Sequence, residues 1–226
     1  MTRLEVPAPL PITWQMKDVS SARSSVEELP DGRIEARIDH ELIRGVTPEM
    51  LVWWFRSFPV GRLEHKGELV SLYRIWHPRD HIRVDMLRRA RDGSYGVATG
   101  ALVAICERIG DRASRVVARV VSMDESGLHL VLRRWRMGPK VGELRHTFEA
   151  TPEGTLYRSH LVVGSTRPLV GRLVNRMARK GLFTPDVARE WIRHNVEEVG
   201  NFQFFLAKMY AQRGETLGPG GYAQRT

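Results

Sequence analysis

Between Ser114 and Val163 the chain carries four β-prone segments separated only by short turns: roughly Ser114–Met123, Leu128–Arg136, Val141–Ala150 and Thr155–Val163. The breaks Asp124–Gly127, Gly138-Pro139 and Pro152–Gly154 are turn chemistry. Connections this short join antiparallel neighbours. An antiparallel series therefore forms the centre of the fold. Alternation over Arg33–Ile38 (RIEARI) and His81–Leu87 predicts further half-buried strands. Leu69–Trp76 and Ala101–Ile109 are apolar and β-prone, and are also read as strands.

Helix signals flank this series. Thr47-Pro48-Glu49 supplies an N-cap, a proline at the first helical position and an acid in the first turn. The helix it opens carries Trp53, Trp54 and Phe55 and stops near Pro59. Pro168–Lys180 is amphipathic and ends at Gly181. Thr184-Pro185-Asp186 repeats the start signal and opens a helix that runs to about Arg213. Its apolar positions, from Val187 and Trp191 to Phe205 and Met209, cover the broad face of a helix lying across a sheet. The expected class is α+β: a helix-grip fold, with a curved antiparallel sheet wrapped around a long C-terminal helix and a cavity between them. Residues 1–30 read as an arm, 31–212 as one domain and 213–226 as a flexible tail.

No stretch approaches the roughly 20 apolar residues that span a bilayer, and the N-terminus lacks the apolar core of a secretory signal. Cys106 is the only cysteine, so no intramolecular disulfide forms, and a cytoplasmic setting is expected. The net charge is +9. Its basic residues are scattered along strand and helix periods rather than gathered in a block, and no nucleic-acid-binding signature appears. Neither a membrane nor a nucleic acid is therefore the expected partner.

His194 and Glu198 lie four residues apart on the final helix and project from one face. Imidazole and carboxylate are both zinc ligands. Trp191, Val199 and Phe202 share or border that face, which is an odd setting for a solvated ion pair. The strands offer His77, His81, Glu107 and His146 as further ligands. Glu107 ends an apolar strand, where a charge needs a partner: either a metal, or Arg108 or Arg112. His77 reads as a capped loop histidine. His146 is in phase with Leu144 and Phe148 and faces inward, as a core or a site residue.

Five segments, GVTPEMLVWWF (45–55), YRIWHPRDH (73–81), CERIG (106–110), LRHTFE…GTLYRSHLVVG (144–164) and RHNVEEVGNFQFFL (193–206), resemble the 2,4-diacetylphloroglucinol hydrolase family. The resemblance spans about residues 30 to 210. That family is similar in fold to the birch-pollen-allergen and START proteins. Its characterised members are zinc-dependent hydrolases that cleave the carbon–carbon bond between an acyl group and a phenolic ring. The resemblance implies His81, Glu107, His194 and Glu198 as Zn²⁺ ligands, with Tyr73 and His146 meeting the substrate. Val84 and Trp191 are expected in the substrate pocket. Val84 departs from the family, which has asparagine there, and valine cannot hydrogen-bond a phenol or a carbonyl.

The leading expectation is a zinc-dependent hydrolase acting on a small aromatic or phenolic ketone. A non-catalytic carrier that binds a hydrophobic molecule in the same cavity is the alternative. The metal ligands separate the two, because a carrier has no use for buried His and Glu charges. Aromatics at Trp53 and Trp54 are also expected to serve a homodimer contact.

Overall fold

A computed structural model describes residues 5–65, 67–166, 171–172, 175–176 and 183–216. Eight strands form a continuous antiparallel sheet in the order β1-β2-β11-β10-β9-β8-β7-β6. They are β1 (Arg23–Glu28), β2 (Ile34–Asp39), β6 (His81–Arg88), β7 (Leu102–Ile109), β8 (Arg112–Asp124), β9 (Gly127–Arg133), β10 (Lys140–Thr151) and β11 (Gly154–Val163). A short β3 (Ile43–Arg44) also pairs with β11, while β4 (Arg62–His65) and β5 (Glu68–Ser71) make a separate hairpin. The sheet encloses a 27-residue helix, α3 (Pro185–Ala211). This is the expected helix-grip arrangement.

The expected caps form. The Thr47 hydroxyl accepts from Met50 N at the start of α1 (Pro48–Ser57), and Thr184 accepts from Val187 N at the start of α3. Two elements differ from expectation. Leu69–Trp76 is not one strand: after β5 the chain turns into a short helix, α2 (Leu72–Trp76), because the Ser71 hydroxyl caps it by accepting from Tyr73 N. The first 30 residues are not only an arm, since β1 is an edge strand of the main sheet, paired along its length with β2. At the start of the expected tail Arg213–Thr216 form a short helix, α4, and the rest of it lies outside the described residues. Most of the expected helix over 168–180 also lies outside them.

One aromatic cluster locks α3 in place. Trp54, Phe55 and Phe58 of α1 and its C-cap, Trp76 of α2, and Phe202 and Phe205 of α3 pack together with ring centroids 5.0–6.5 Å apart. Trp76 donates from Nε1 to Glu198 O at 2.8 Å, and Asn201 Nδ2 donates to Trp76 O at 2.9 Å. These two bonds fix the rotation and height of α3 against α2, and so decide which helix side chains face β6 and β7. Trp54 is fully buried in this cluster, so it supplies no dimer contact, and Trp53 packs against the same core. No helix among the described residues is long and apolar enough to cross a membrane.

Candidate metal centre

A cavity of about 840 Å³ lies between the sheet and α3. Its walls are the inward rows of the strands (Val103, Ile105, Leu128, Leu130, Leu132, Leu144), and Trp191 of α3 closes one side. Arg112, Arg115, Arg134 and Lys140 add positive charge where β8, β9 and β10 begin or end. Tyr73, Glu107, His146, His194 and Glu198 all reach the cavity wall. Val84 shares a sheet face with its register partner Ile105, which lines the cavity, but packs against the core and is not itself a lining residue.

His81 opens β6 directly opposite Glu107 of β7 in the sheet register. β7 then turns into β8 through Gly110, whose φ of 58° favours glycine and where a Cβ would press on the Glu190 side chain of α3 at 3.1 Å. From the helix side, His194 and Glu198 descend onto this strand pair. His81 Nε2 lies 3.2 Å from Glu198 Oε2. His194 Nε2 is 3.6 Å from Glu107 Oε2 and 3.8 Å from Glu198 Oε2. One donor atom from each of His81, His194 and Glu198 falls within 4.8 Å of the others. Glu107 joins from the strand side, where its Oε2 also accepts from the Tyr73 hydroxyl at 3.2 Å.

Each imidazole is oriented through its other nitrogen. His81 Nδ1 is 2.7 Å from the Tyr73 carbonyl, which can only accept. His194 Nδ1 is 3.3 Å from Asp80 Oδ2. With Nδ1 of both rings engaged behind the site, Nε2 is the nitrogen turned toward the carboxylates, the orientation in which a metal would replace its proton. His194 Nε2 is buried and has no hydrogen-bond partner. Two ligand atoms held ~2.0–2.1 Å from one tetrahedral ion sit about 3.3 Å apart, close to the spacings found here.

The field of the site favours a cation. Burial lowers the His194 pKa, but its bond to Asp80 and the charges of Glu198 and Glu107 outweigh burial and raise it. Burial raises the Glu198 carboxyl, yet the bond from His81 and the charges of His194 and His81 hold it below its ordinary value. A divalent ion satisfies the same two carboxylates, so the donor set and its charge fit a metal.

Asp80, present in the sequence without an assigned role, is the hub behind the site. It is fully buried. Its Oδ1 accepts from Arg108 Nε and Nη2 at 3.1 and 3.0 Å, and its Oδ2 from Arg193 Nη2 at 2.8 Å. Burial raises its carboxyl, but the bond with His194, the charge of His77 and the bond from Arg193 hold it well below the usual carboxylate range. His77 is the hydrogen-bonded loop histidine expected, 3.0 Å from Glu197 Oε2. Sequence reasoning missed Asn195, which donates to Glu198 Oε1. It also missed the buried pair His40 and Ser159 behind His146: Ser159 Oγ lies 2.9 Å from His40 Nε2 and 3.0 Å from His146 Nδ1. No linear pattern joins these residues, since His40 and Ser159 are 119 positions apart.

The chain resembles several solved structures. Ara h 8.0201 is 12% identical over 77% of this chain and 97% of that one, with a TM-score of 0.37. A START superfamily protein from Mycobacterium smegmatis is 17% identical over 74% and 98%, with a TM-score of 0.40. Protein Ms6760 from Mycobacterium smegmatis is 11% identical over 81% and 98%, with a TM-score of 0.46. No curated protein matches the sequence. The family described as DAPG hydrolase PhiG domain matches residues 17–211, the whole of the sheet and α3, and the chain belongs to that family.

Proposed function

We propose that the chain is a zinc-dependent hydrolase that cleaves the carbon–carbon bond between an acyl group and a phenolic ring. The observation that carries this reading is the buried donor set at the cavity wall. His81 and His194 each turn Nε2 toward Glu198, with Glu107 completing the group. Together these four side chains would hold the ion. When bound, zinc supplies a Lewis acid that polarises a carbonyl and lowers the pKa of water toward ~7.

The remaining chemistry belongs to the chain. The overall change is acyl-arene plus water giving a carboxylic acid and the arene, so the departing ring carbon must gain a proton. A phenolic hydroxyl ortho to that carbon allows this through its keto tautomer. Tyr73 lies on one side of the site. Burial first, and then the Glu107 and Glu198 carboxylates, push its hydroxyl pKa well above the ordinary value, so Tyr73 stays protonated and serves as a donor. His146 lies across the cavity, where burial pushes its pKa down to about 4, so it is neutral near pH 7 and can take up a proton. The leucine and valine walls exclude water from the ring. The arginines at the strand ends favour an ionised or phenolic group there.

A carrier role would rest on the cavity alone. It leaves unexplained why two histidines and two carboxylates occupy an otherwise apolar wall, where unpaired charge is costly. The test pairs elemental analysis of the native protein, His194→Ala and Glu107→Ala with hydrolysis of acylated phenols. About one zinc per chain, lost in both variants together with acid release, is the expected result. Turnover that persists after the metal is stripped would sink the zinc-dependent reading.

A further inference from the structure

The exposed residues of the cavity wall come from three places: the start of β8 (Arg112, Ala113 and Arg115), the β9–β10 connection (Arg134, Pro139 and Lys140) and Thr166 after β11. These places adjoin, since Gly164 N donates to Val141 O at 2.8 Å. The mouth of the cavity therefore lies at this end of the sheet. The β9–β10 loop at the mouth turns two large apolar side chains outward: Met137 is 87% exposed and Trp135 51% exposed. The loop that presents them is braced. Gly138 N donates to Trp135 O at 2.9 Å, and Arg133 Nη1 donates to Gly138 O at 2.6 Å. The indole lies over Gly138, where a Cβ would meet it at 2.8 Å. Apolar area held out in this way, beside an apolar cavity, marks an interaction surface.

Cations surround the tip. Arg134 and Arg136 flank Trp135 in the chain and are exposed. Arg115 reaches the same rim from β8, and Lys140 from β10. After β11, Arg172 and Arg176 are exposed one helical turn apart, while Gly171 and Asn175 are buried and Asn175 lines the mouth. No Asp or Glu occurs between Gly154 and Pro185. On the acidic side stand Asp111, in the β7–β8 turn, and Glu143, which Lys140 and Arg145 already share. The basic residues are scattered along the sequence, and the fold collects these around one opening.

We propose that the cavity mouth is a peripheral docking surface for anionic lipid bilayers, with Trp135 and Met137 entering the interfacial layer and the arginines of the rim meeting lipid phosphates. Tryptophan suits that layer because one side of its ring system is apolar and its N–H stays wet. Arginine matches phosphate with its planar fork and keeps its charge in the headgroups. Docking in this orientation turns the apolar cavity toward an apolar medium. A nucleic-acid backbone would use the charge but has no use for an outward methionine. The docking does not depend on the hydrolase reading.

Flotation of the full chain with phosphatidylcholine vesicles, with and without phosphatidylglycerol, reads the docking. Binding is expected only where phosphatidylglycerol is present, and it should weaken as salt rises. Trp135→Ser with Met137→Ser, and separately Arg134→Gln with Arg136→Gln, are each expected to lower the partition coefficient about tenfold. Arg44→Gln with Arg158→Gln removes the same charge away from the rim and should change it less than about twofold. A polarity-sensitive dye on Met137→Cys is expected to shift to the blue on the same vesicles; the native cysteine, Cys106, is buried. No binding to the anionic vesicles overturns the proposal. So does an Arg44 and Arg158 pair that weakens binding as much as the rim pair, which is the general attraction of a chain with net charge +9. Full binding by the Trp135 and Met137 variant also overturns it, because charge alone then holds the chain. Preference for a DNA duplex or polyglutamate over the vesicles, lost in the rim variant, assigns the surface to that partner instead.

Discussion

Asp80 Oδ2 lies 3.3 Å from His194 Nδ1 and 2.8 Å from Arg193 Nη2, so one buried carboxylate orients the helix histidine and pins the helix that carries it. A carboxylate in this position fixes the tautomer and raises the basicity of the ring. Asp80→Asn keeps the shape but loses the charge that Arg108 and Arg193 need. We expect zinc affinity to fall about 10–100-fold, measured by competition with a chromogenic chelator. Unchanged affinity would mean that Asp80 serves only the fold.

Metal binding should be visible as stability. A ligand that binds only the folded chain stabilises it by about 2.7 kcal/mol at a hundred times its Kd. Zinc added to chelator-treated protein is therefore expected to raise Tm by several degrees. Glu198→Gln and His194→Ala should abolish that rise, since they remove two of the three donors that cluster within 4.8 Å. A rise retained in both variants would place the ion elsewhere.

How much of this was readable in the sequence depends on distance along the chain. The meander was legible because short turns and alternation are local. The pair His194 and Glu198 was legible because helical spacing is local. The edge strand β1 was not, since RSSVEE has a single apolar residue, Val26, and owes its strand form to backbone pairing with β2. Helix α2 was hidden in a β-prone run and is set by the Ser71 cap. That His81 faces Glu107 depends on the β6–β7 register; the resemblance implied both as ligands, and neither it nor the residues gave the pairing. Asp80, His40 and Ser159 carry no linear signal, because their partners come from other strands and from α3.

Val84 tests the departure from the family. It is half-buried against the core and outside the cavity wall. Restoring asparagine with Val84→Asn would put an amide among apolar groups. The expected cost is about 1–3 kcal/mol of stability, read by urea unfolding, with kcat on an acylated phenol unchanged within about twofold. A clear gain in turnover would show that residue 84 reaches the substrate.

The buried histidines should make the fold acid-labile over a defined range. The pKa values of His40 and His146 fall from the ordinary 6.5 to about 3 and about 4 on burial. Between pH 6.5 and about 4 the unfolded chain therefore binds protons that the folded chain refuses. Unfolding free energy must then rise with pH across that window, by up to ~1.4 kcal/mol per pH unit for each histidine. His194 acts in the opposite sense: its pKa is raised, so its contribution is complete below 6.5 and is lost only at higher pH. Asp80 is held well below 3.8 and contributes to acid lability only beneath the window. Urea unfolding of chelator-treated protein at pH 7, 6 and 5 should show stability falling with acid. His40→Phe removes one of these groups, so the fall should be shallower in that variant by up to about one histidine's share. Equal slopes in the two proteins would mean that His40 is already protonated in the fold over this range.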